Sequence, residues 1–399
     1  MKVVKTVQKP KLWTKDFISI SLASFFIFLI FYMLMVTLPI YITDDLNGNG
    51  QDIGLMATAF VISAIILRPF SGNWLNSIGQ KRTLLIGVTI FLIGSFLYFG
   101  ATSISLLLAI RILHGSGFGI ATTSTGGIVA NVIPNERRGE GMGYYATFMN
   151  LAMVVGPFLG LTIVHSVSYY VLFILCGVFS VLAILFSLFI NVPEPEREQK
   201  PLKKQLSFSD FFEKKTLPIA IVAFTLSFVY SGVLSFISVY AGQLNLEEAS
   251  SLFFVVYATF LLISRPFTGK WFDLYGENVV IYPCILLFAA GIWLLSQVQA
   301  GWMLLLAGGL IGLGFGTLLS AFQSIAIQSS PSKRAGVATA TFFVLFDAGF
   351  ATGSFLLGII ATYIDYAQIY IICSILVLLS IGLYYVLHGR KVQRRNIFI

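Results

Sequence analysis

A twelve-residue stretch occurs twice in this chain, and the repeat constrains the possible folds more than any other feature of the sequence. RPFSGNWLNSIG at 68–79 returns as RPFTGKWFDLYG at 265–276, with six of twelve positions identical. The same offset of 197 residues, without a gap, aligns Gly115 with Gly312 and Pro134 with Pro331. Each copy begins with an apolar run, so the repeated unit is predicted to be a bundle of membrane helices.

Composition supports the membrane assignment. Hydrophobic residues make up 57% of the chain and charged residues 11%, whereas a soluble protein has about a quarter of its residues charged. We therefore predict a multi-pass protein of the cell membrane (inner or plasma membrane), surrounded by lipid. The three cysteines lie alone in apolar runs without CxxC spacing, which indicates neither a disulfide framework nor a metal site, and no cofactor is expected.

Twelve apolar runs are long enough to span a membrane, which takes about 20 residues for about 30 Å of hydrocarbon. The one long polar segment, 193–216, is predicted to be a cytoplasmic linker between an N-terminal six-helix bundle (1–192) and a C-terminal six-helix bundle (217–399). The predicted fold class is an all-α membrane protein with two pseudo-symmetric six-helix bundles. Its helices are expected near 17–41, 53–75, 83–101, 104–131, 139–163, 169–191, 217–241, 250–271, 279–298, 302–328, 336–362 and 368–388.

Basic residues are sharply segregated between the two sides of the predicted bundle. Of the 25 lysines and arginines, 22 fall in the termini and in loops on one side, and the loops on the other side hold none. An even number of helices puts both termini on this basic side, which the positive-inside rule assigns to the cytoplasm. Orientation and contact with anionic lipid account for the net charge of +8, so no nucleic acid partner is expected.

Among the acids, Asp347 alone lies deep within a predicted helix, about ten residues or about 15 Å into the eleventh, close to the bilayer midplane. A carboxylate there costs at least about 2.5 kcal/mol to insert and commonly marks an ion or proton pathway. Low dielectric also favours its protonated form, as proton coupling requires. The alternative is a structural ion pair with an intramembrane arginine. The repeat puts neutral Asn150 at the matching position of the first half.

Arg111 and His114 lie one turn apart on one face of the fourth predicted helix. Nothing in its own run neutralises Arg111, and its repeat partner is Gly308, so this cation belongs to one half alone. A permanent cation beside an imidazole keeps the imidazole neutral, which allows His114 to relay a proton. The alternative is an ordinary packing histidine. Together with Asp347, these two residues form the predicted proton-coupling set.

Arg68 and Arg265 differ from Arg111 because the repeat preserves both, each one residue before a proline and near the cytoplasmic end of its helix. This symmetry predicts a scaffold or gate in which each arginine holds an anionic group on the loop that follows. Glycine permits tight connections between helices. The predicted gating loops also contain Asn76, Asp273 and the repeat glycines Gly72, Gly79, Gly269 and Gly276.

Two further glycine motifs lie within predicted helices. The run 115–119 and its repeat at 312–316 look like dinucleotide loops, but their place inside membrane helices predicts close helix packing instead. In the fifth helix, Gly156, Pro157 and Gly160 predict a hinge, a seal between the halves or a simple kink. The sequence after 269 does not match a phosphate-binding loop, so the expected energy source is a gradient.

These motifs together resemble the major facilitator superfamily, in particular its twelve-helix drug:proton antiporter branch. The segment 72–82 resembles the family's loop motif G-x-L-a-D-r-x-G-r-k-r, and 269–277 resembles its echo in the second half. Residues 111–117 resemble the fourth-helix motif R-x-x-Q-G-x-G, which the family associates with proton transfer. Residues 156–160 resemble the antiporter motif G-P-x-x-G-G, which the family associates with export.

The sequence departs from these family motifs at several positions. Asn76 and Ser77 replace the acid and the base of the loop motif, whereas Asp273 keeps the acid in the second half. His114 replaces the glutamine of the fourth-helix motif, and the antiporter motif lacks its last glycine. The first helix has no acid within its span, which leaves more of the coupling role to Asp347.

The resemblance implies a secondary active transporter that exports small amphipathic molecules in exchange for protons, by rocking of one bundle against the other. It is expected to be a monomer and not an enzyme, since no nucleophile–base pair or cofactor loop can be assembled. Two alternatives stay open: a metabolite uptake symporter or facilitator of the same architecture, and a membrane receptor that transports nothing. Substrate contacts are predicted at Tyr32, Phe28, Thr123, Tyr230 and Gln323.

Overall fold

The computed structural model describes residues 10–134, 137–192, 212–330 and 335–390, apart from the side chains at 76, 138–140, 266, 273, 335 and 336. Twelve helices in these ranges are long and apolar enough to cross a membrane, which confirms the twelve predicted runs. In chain order they are α1 (Lys15–Asp44), α2 (Gly50–Ser77), α3 (Gln80–Leu97), α4 (Ile104–Val132), α5 (Arg138–Ser166), α6 (Tyr169–Leu188), α7 (Leu217–Gln243), α8 (Glu247–Tyr275), α9 (Glu277–Ser296), α10 (Gly301–Gln328), α11 (Ala335–Ile360) and α12 (Tyr366–Gly389).

Polar side chains cap several of these helices and fix where they begin. The Asn49 side chain accepts hydrogen bonds from the first turn of α2, and the Asp52 carboxylate accepts one from the Asn49 backbone N–H in return. This capping box satisfies backbone donors that the helix itself leaves unpaired. Ser103 and Ser168 cap α4 and α6 in the same manner. The polar cap explains why α2 begins three residues before the apolar run that predicts it.

The two halves of the chain pack by the same pattern. In the first half, α2 packs on α4, α3 on α4 and α6, and α1 on α5 and α6. In the second half, α8 packs on α10, α9 on α10 and α12, and α7 on α11 and α12. The sequence repeat is therefore a repeat of a six-helix packing unit. The exact domain boundaries stay predictions, because most of 193–216 lies outside the described residues.

Two glycines related by the repeat let helices approach closely within each half. A Cβ on Gly115 would lie 2.2 Å from the carbonyl oxygen of Phe60 on α2, and a Cβ on Gly312 would lie 2.1 Å from that of Tyr257 on α8. No side chain fits at such distances, so α4 and α10 contact their neighbours through backbone. The prediction of close packing at 115–119 and 312–316 is confirmed, and the second run forms a π-helical turn within α10.

The halves contact each other through α2 with α11, α5 with α8 and α1 with α7. One end of the bundle, here called the basic end, carries the connections with Lys81, Arg82 and Arg137. At the opposite end, a Cβ on Gly54 of α2 would lie 2.2 Å from the carbonyl oxygen of Ser354 on α11. The two halves are thus in backbone contact at the end opposite the basic loops.

Substitution of Gly54 by alanine is expected to weaken this contact. Alanine has up to about 1 kcal/mol more helix propensity than glycine. Its Cβ would nevertheless meet the Ser354 carbonyl, and overpacking costs about 1–3 kcal/mol. Thermal unfolding of the purified protein in detergent should show a Tm several degrees below wild type.

Gly382→Ala is the matched control, since nothing lies within 4 Å of a Cβ at this exposed position of α12. Its Tm should equal or exceed that of wild type, because only the gain in helix propensity remains. Equal Tm values for the two variants would contradict the backbone contact between α2 and α11.

Candidate functional site

An ion pair joins the two halves near the middle of the bundle. Nη1 of Arg68 on α2 donates a hydrogen bond to Oδ2 of Asp347 on α11. Asp347 is the thirteenth of 26 residues in α11, about 18 Å from the start of the helix, in agreement with the depth predicted by counting. The two side chains are 25% and 19% exposed, so the pair borders open space inside the bundle.

The pair changes two expectations drawn from the sequence. Arg68 does not hold a group on the following loop, because α11 presents a carboxylate at the same depth and a direct ion pair satisfies both charges. The alternative in which Asp347 pairs with an intramembrane arginine describes this geometry. Since the two residues belong to different halves, however, their contact spans the interface that alternating access must rearrange.

Arg111 is fully buried and contacts no carboxylate among the described residues. Its Nε donates to the carbonyl oxygen of Met56 over 3.2 Å and its Nη1 to the hydroxyl of Tyr98 over 3.4 Å. Nη2 lies 3.1 Å from the Met35 sulfur, and the guanidinium lies 4.2 Å from the centre of the Phe60 ring. These neutral partners stabilise the cation by hydrogen bonding and cation–π attraction. The charge is accommodated within the first half and does not meet the Arg68 ion pair.

His114 has a partner at each ring nitrogen. The Tyr98 hydroxyl lies 3.1 Å from Nδ1 and the Ser95 hydroxyl lies 3.2 Å from Nε2. Ser95 is in turn 2.7 Å from the hydroxyl of Ser180 on α6. Tyr98 therefore links His114 to Arg111, which the sequence places one turn apart on the same helix, and all of these contacts lie within one half. This geometry fits the packing alternative, and a proton-relay role stays a prediction.

Three of the five predicted substrate residues converge beside the central ion pair. Phe28 and Tyr32 on α1 stack with ring centroids 6.4 Å apart. The Tyr32 hydroxyl lies within electrostatic range of both Asp347 and Tyr230, so side chains from α1, α7 and α11 surround one central region. The two other predicted residues, Thr123 and Gln323, lie on α4 and α10. Thr123 donates to a carbonyl of its own helix, and Gln323 is half-buried on α10.

Tyr257, which the sequence did not single out, joins the predicted residues Tyr230 and Arg265 in a polar group on α7 and α8. Tyr230 stacks on Phe315 with ring centroids 4.0 Å apart, and its ring centroid lies 6.2 Å from that of Tyr257. Arg265, two turns along α8 from Tyr257, lies within electrostatic range of its hydroxyl. The two tyrosine hydroxyls lie near each other, and neither they nor the Arg265 Nε have any other hydrogen-bond partner in the described part of the structure. The repeat holds a signal for Tyr257, since the first copy has Phe60 at the matching position.

The predicted gating glycines occupy two kinds of position. Gly79 and Gly276 precede α3 and α9 with φ of 100° and 87°, values that favour glycine and explain the last identity of the repeat. Gly72 and Gly269 lie inside α2 and α8 and form no part of the connections, and a Cβ on either would meet no atom within 4 Å. Two predicted loop residues have side chains outside the described part of the structure, Asn76 and Asp273.

The GPFLG motif of α5 packs within the first half. A Cβ on Gly156 would lie 2.9 Å from the Leu29 carbonyl oxygen, and one on Gly160 would lie 3.0 Å from the Thr37 side chain. Both neighbours belong to α1, and Pro157 is buried within α5. The geometry supports close packing or a kink in α5, and it gives no support to a seal between the halves.

Comparisons with known proteins add to this geometry. A sequence profile described as the Major Facilitator Superfamily matches residues 20–292 and 247–397. Quinolone resistance protein NorA of Staphylococcus aureus is 28% identical over 173 residues, 43% of this chain, and the match spans 44% of NorA, less than half its length. The uncharacterized MFS-type transporter MJ1560 of Methanocaldococcus jannaschii is 23% identical over 335 residues, 82% of this chain and 86% of that protein. The crystal structure of nucleoside transporter NupG superimposes with a TM-score of 0.72 at 14% identity, covering 93% and 99% of the two chains, and supports the fold alone.

Removal of the Tyr98 hydroxyl is expected to destabilise the first half. Tyr98→Phe leaves the buried His114 Nδ1 and one Arg111 N–H without a partner, which costs about 1–3 kcal/mol. Tyr282→Phe is the matched control, because the Tyr282 hydroxyl makes no hydrogen bond in the described part of the structure. Unfolding in detergent should show a clear loss of stability for the first variant and little change for the second. Equal losses would refute the linking role of Tyr98.

Proposed function

Because this chain belongs to the major facilitator superfamily and is a secondary transporter of the membrane, we propose that it exports small amphipathic molecules in exchange for protons. The observation that carries this proposal is the ion pair between Arg68 and Asp347, which crosses from one half to the other at mid-depth. Rocking of the halves changes the contact between α2 and α11. A titratable charge in that contact ties conformation to protonation.

We assign the basic end of the bundle to the cytoplasm, since the positive-inside rule places loops rich in lysine and arginine there. The backbone contact between α2 and α11 at Gly54 then closes the outer end. From this closure we infer an inward-facing state, in which substrate enters from the cytoplasm. Export requires this state to be the one that accepts substrate.

In the proposed cycle, the ionised Asp347 holds Arg68 and stabilises the inward-facing arrangement. Separation of the two charges within the membrane would leave both unpaired, at a cost of about 3–5 kcal/mol for a buried pair and less for this partly exposed one. The empty, deprotonated transporter therefore does not change conformation. A proton on Asp347 removes one charge, releases Arg68 and permits rocking.

Substrate permits the same movement by a different route. A bound molecule that competes for either charge of the pair loosens the contact between α2 and α11 without a proton. The protein then rocks only when it carries a proton or a substrate molecule, and not when it is empty. Each inward movement of a proton is therefore followed by an outward movement of substrate. The partial similarity to NorA, whose name refers to quinolone resistance, supports drug-like aromatic substrates. We also propose that the protein acts as a monomer.

The coupling role of Asp347 predicts a specific transport defect. In proteoliposomes with an imposed pH gradient, wild type should move the lipophilic cation ethidium uphill against the flow of protons. Asp347→Asn should reduce the rate of this uphill transport at least about tenfold, because an amide side chain cannot bind and release a proton. It should retain ethidium exchange without a gradient, because the amide resembles the protonated state.

Asp365→Asn is the matched control, since Asp365 is an exposed acid at the start of α12, and it should pump like wild type. Uphill pumping by Asp347→Asn at the wild-type rate would exclude Asp347 as the coupling group. Ethidium movement together with protons would instead favour the uptake symporter.

A double-mutant cycle tests the ion pair itself. Arg68→Gln and Asp347→Asn each leave one charge unpaired and should each destabilise the inward-facing protein by about 1–3 kcal/mol. The double variant should be less destabilised than the sum of the two, with a coupling energy of about 1 kcal/mol or more. Additive effects on unfolding in detergent would mean that the two side chains do not interact.

A further inference from the structure

We propose that Arg265, Tyr257 and Tyr230 form a subsite for an oxyanion of the substrate, a carboxylate on an otherwise aromatic molecule. The three residues lie on α7 and α8, on the second half's side of the central region. This inference rests on the proposed transport function and specifies a class of substrate for it. The observation behind it is that Arg68 has a carboxylate partner, whereas its repeat counterpart Arg265 has none among the described residues.

The repeat makes Arg265 the counterpart of Arg68, and α8 packs on α5 as α2 packs on α11. In the first arrangement Arg68 has the carboxylate of Asp347 as its partner. In the second, the residue at the matching position of α5 is Asn150, which carries no charge. The second copy has thus kept the cation and lacks the counterion.

Arg265 is half-buried in α8, and its Nε has no hydrogen-bond partner in the described part of the structure. Among those residues it makes no ion pair with a carboxylate. A cation within a membrane protein faces a cavity or an anionic partner, because exposure to lipid is costly. Since the described residues supply no such partner, we infer that a bound molecule supplies the negative charge.

Two tyrosines supply further donors beside this cation. Tyr257 and Tyr230 are 1% and 4% exposed, and their hydroxyls lie near each other without any other hydrogen-bond partner in the described part of the structure. Buried polar groups are normally hydrogen-bonded, so two adjacent hydroxyls without a further partner need an explanation. Two phenol O–H groups and a guanidinium are all donors, and an oxyanion accepts from all of them.

The surroundings of these donors indicate what carries the anion. Tyr230 stacks on Phe315, and Phe315 contributes to a small apolar cavity between α7, α10 and α11. The aromatic residues that line this cavity are Phe315, Phe322, Phe342 and Phe346. Aromatic rings pack well against such walls. The cavity itself is about the size of one water molecule, so a bound ring would pack against its phenylalanine wall. An oxyanion subsite beside such a wall suits an aromatic carboxylate better than a sugar or an inorganic ion.

Binding of matched acids and amides tests the subsite. The probes are N-dansylglycine with N-dansylglycinamide, and 1-naphthoate with 1-naphthamide, titrated into purified protein in detergent without a pH gradient. Each pair differs only in its charge. Wild type should bind each acid about tenfold to hundredfold more tightly than its amide, as expected for charge-assisted hydrogen bonds.

Variants assign the preference to residues. Arg265→Gln should reduce the ratio of acid to amide affinity to below about threefold, while Arg265→Lys keeps part of it because it keeps the charge. Tyr257→Phe and Tyr230→Phe should each weaken acid binding about threefold to tenfold and leave amide binding unchanged. Arg390→Gln, at an exposed arginine after α12, is the matched control and should keep the full preference.

Two results would overturn the subsite. In the first, wild type binds the acids no more tightly than the amides, or does not bind the acids saturably at all. In the second, Arg265→Gln lowers the affinity for acids and amides equally. The second result would indicate a purely structural arginine. Asp347→Asn should keep the preference for acids, because the assay uses no proton gradient. If wild type prefers the acids but does not move ethidium uphill, proton-driven export alone is refuted. If wild type moves ethidium uphill but shows no preference for the acids, the subsite alone is refuted.

Discussion

A guanidinium and a carboxylate inside an apolar bundle must stay paired unless the carboxylate is neutralised by a proton. The arrangement of the two halves depends on this constraint. Arg68 and Asp347 lie on helices of different halves, and their contact crosses the interface at mid-depth. At the end opposite the basic loops, α2 and α11 approach until backbone meets backbone. Dispersion and small residues hold that end. In the proposed cycle, the ion pair adds a contact that responds to protons.

The repeat separates the scaffold from the functional residues. Packing features recur in both halves, as in the backbone contacts of Gly115 and Gly312. Apart from the repeated arginines Arg68 and Arg265, several charged and polar features do not recur. Asp347 has a neutral counterpart in Asn150, and the counterpart of Tyr257 has no hydroxyl. A symmetric scaffold provides the movement, and the positions where the symmetry breaks provide the chemistry.

The sequence predicts the twelve helices well because the length of an apolar run is a local property of the chain. The depth of Asp347 follows from the same counting. Its partner does not, because pairing with Arg68 depends on how α2 lies against α11, across 279 residues of sequence. The partners of His114 cannot be predicted for a similar reason, since Ser95 comes from another helix. Residue types are visible in a sequence, but tertiary partners of buried charges are not.

Alternating access needs two kinds of contact, and the structure separates them. The group formed by Arg265, Tyr257 and Tyr230 belongs entirely to α7 and α8, which pack together in the second half. A ligand held there moves with that half when the halves rock, so its contacts survive the change of access. In the proposed cycle the pair of Arg68 and Asp347 breaks, because its members belong to different halves. Specificity can therefore lie within one half while coupling lies between the halves, and a change in one need not disturb the other.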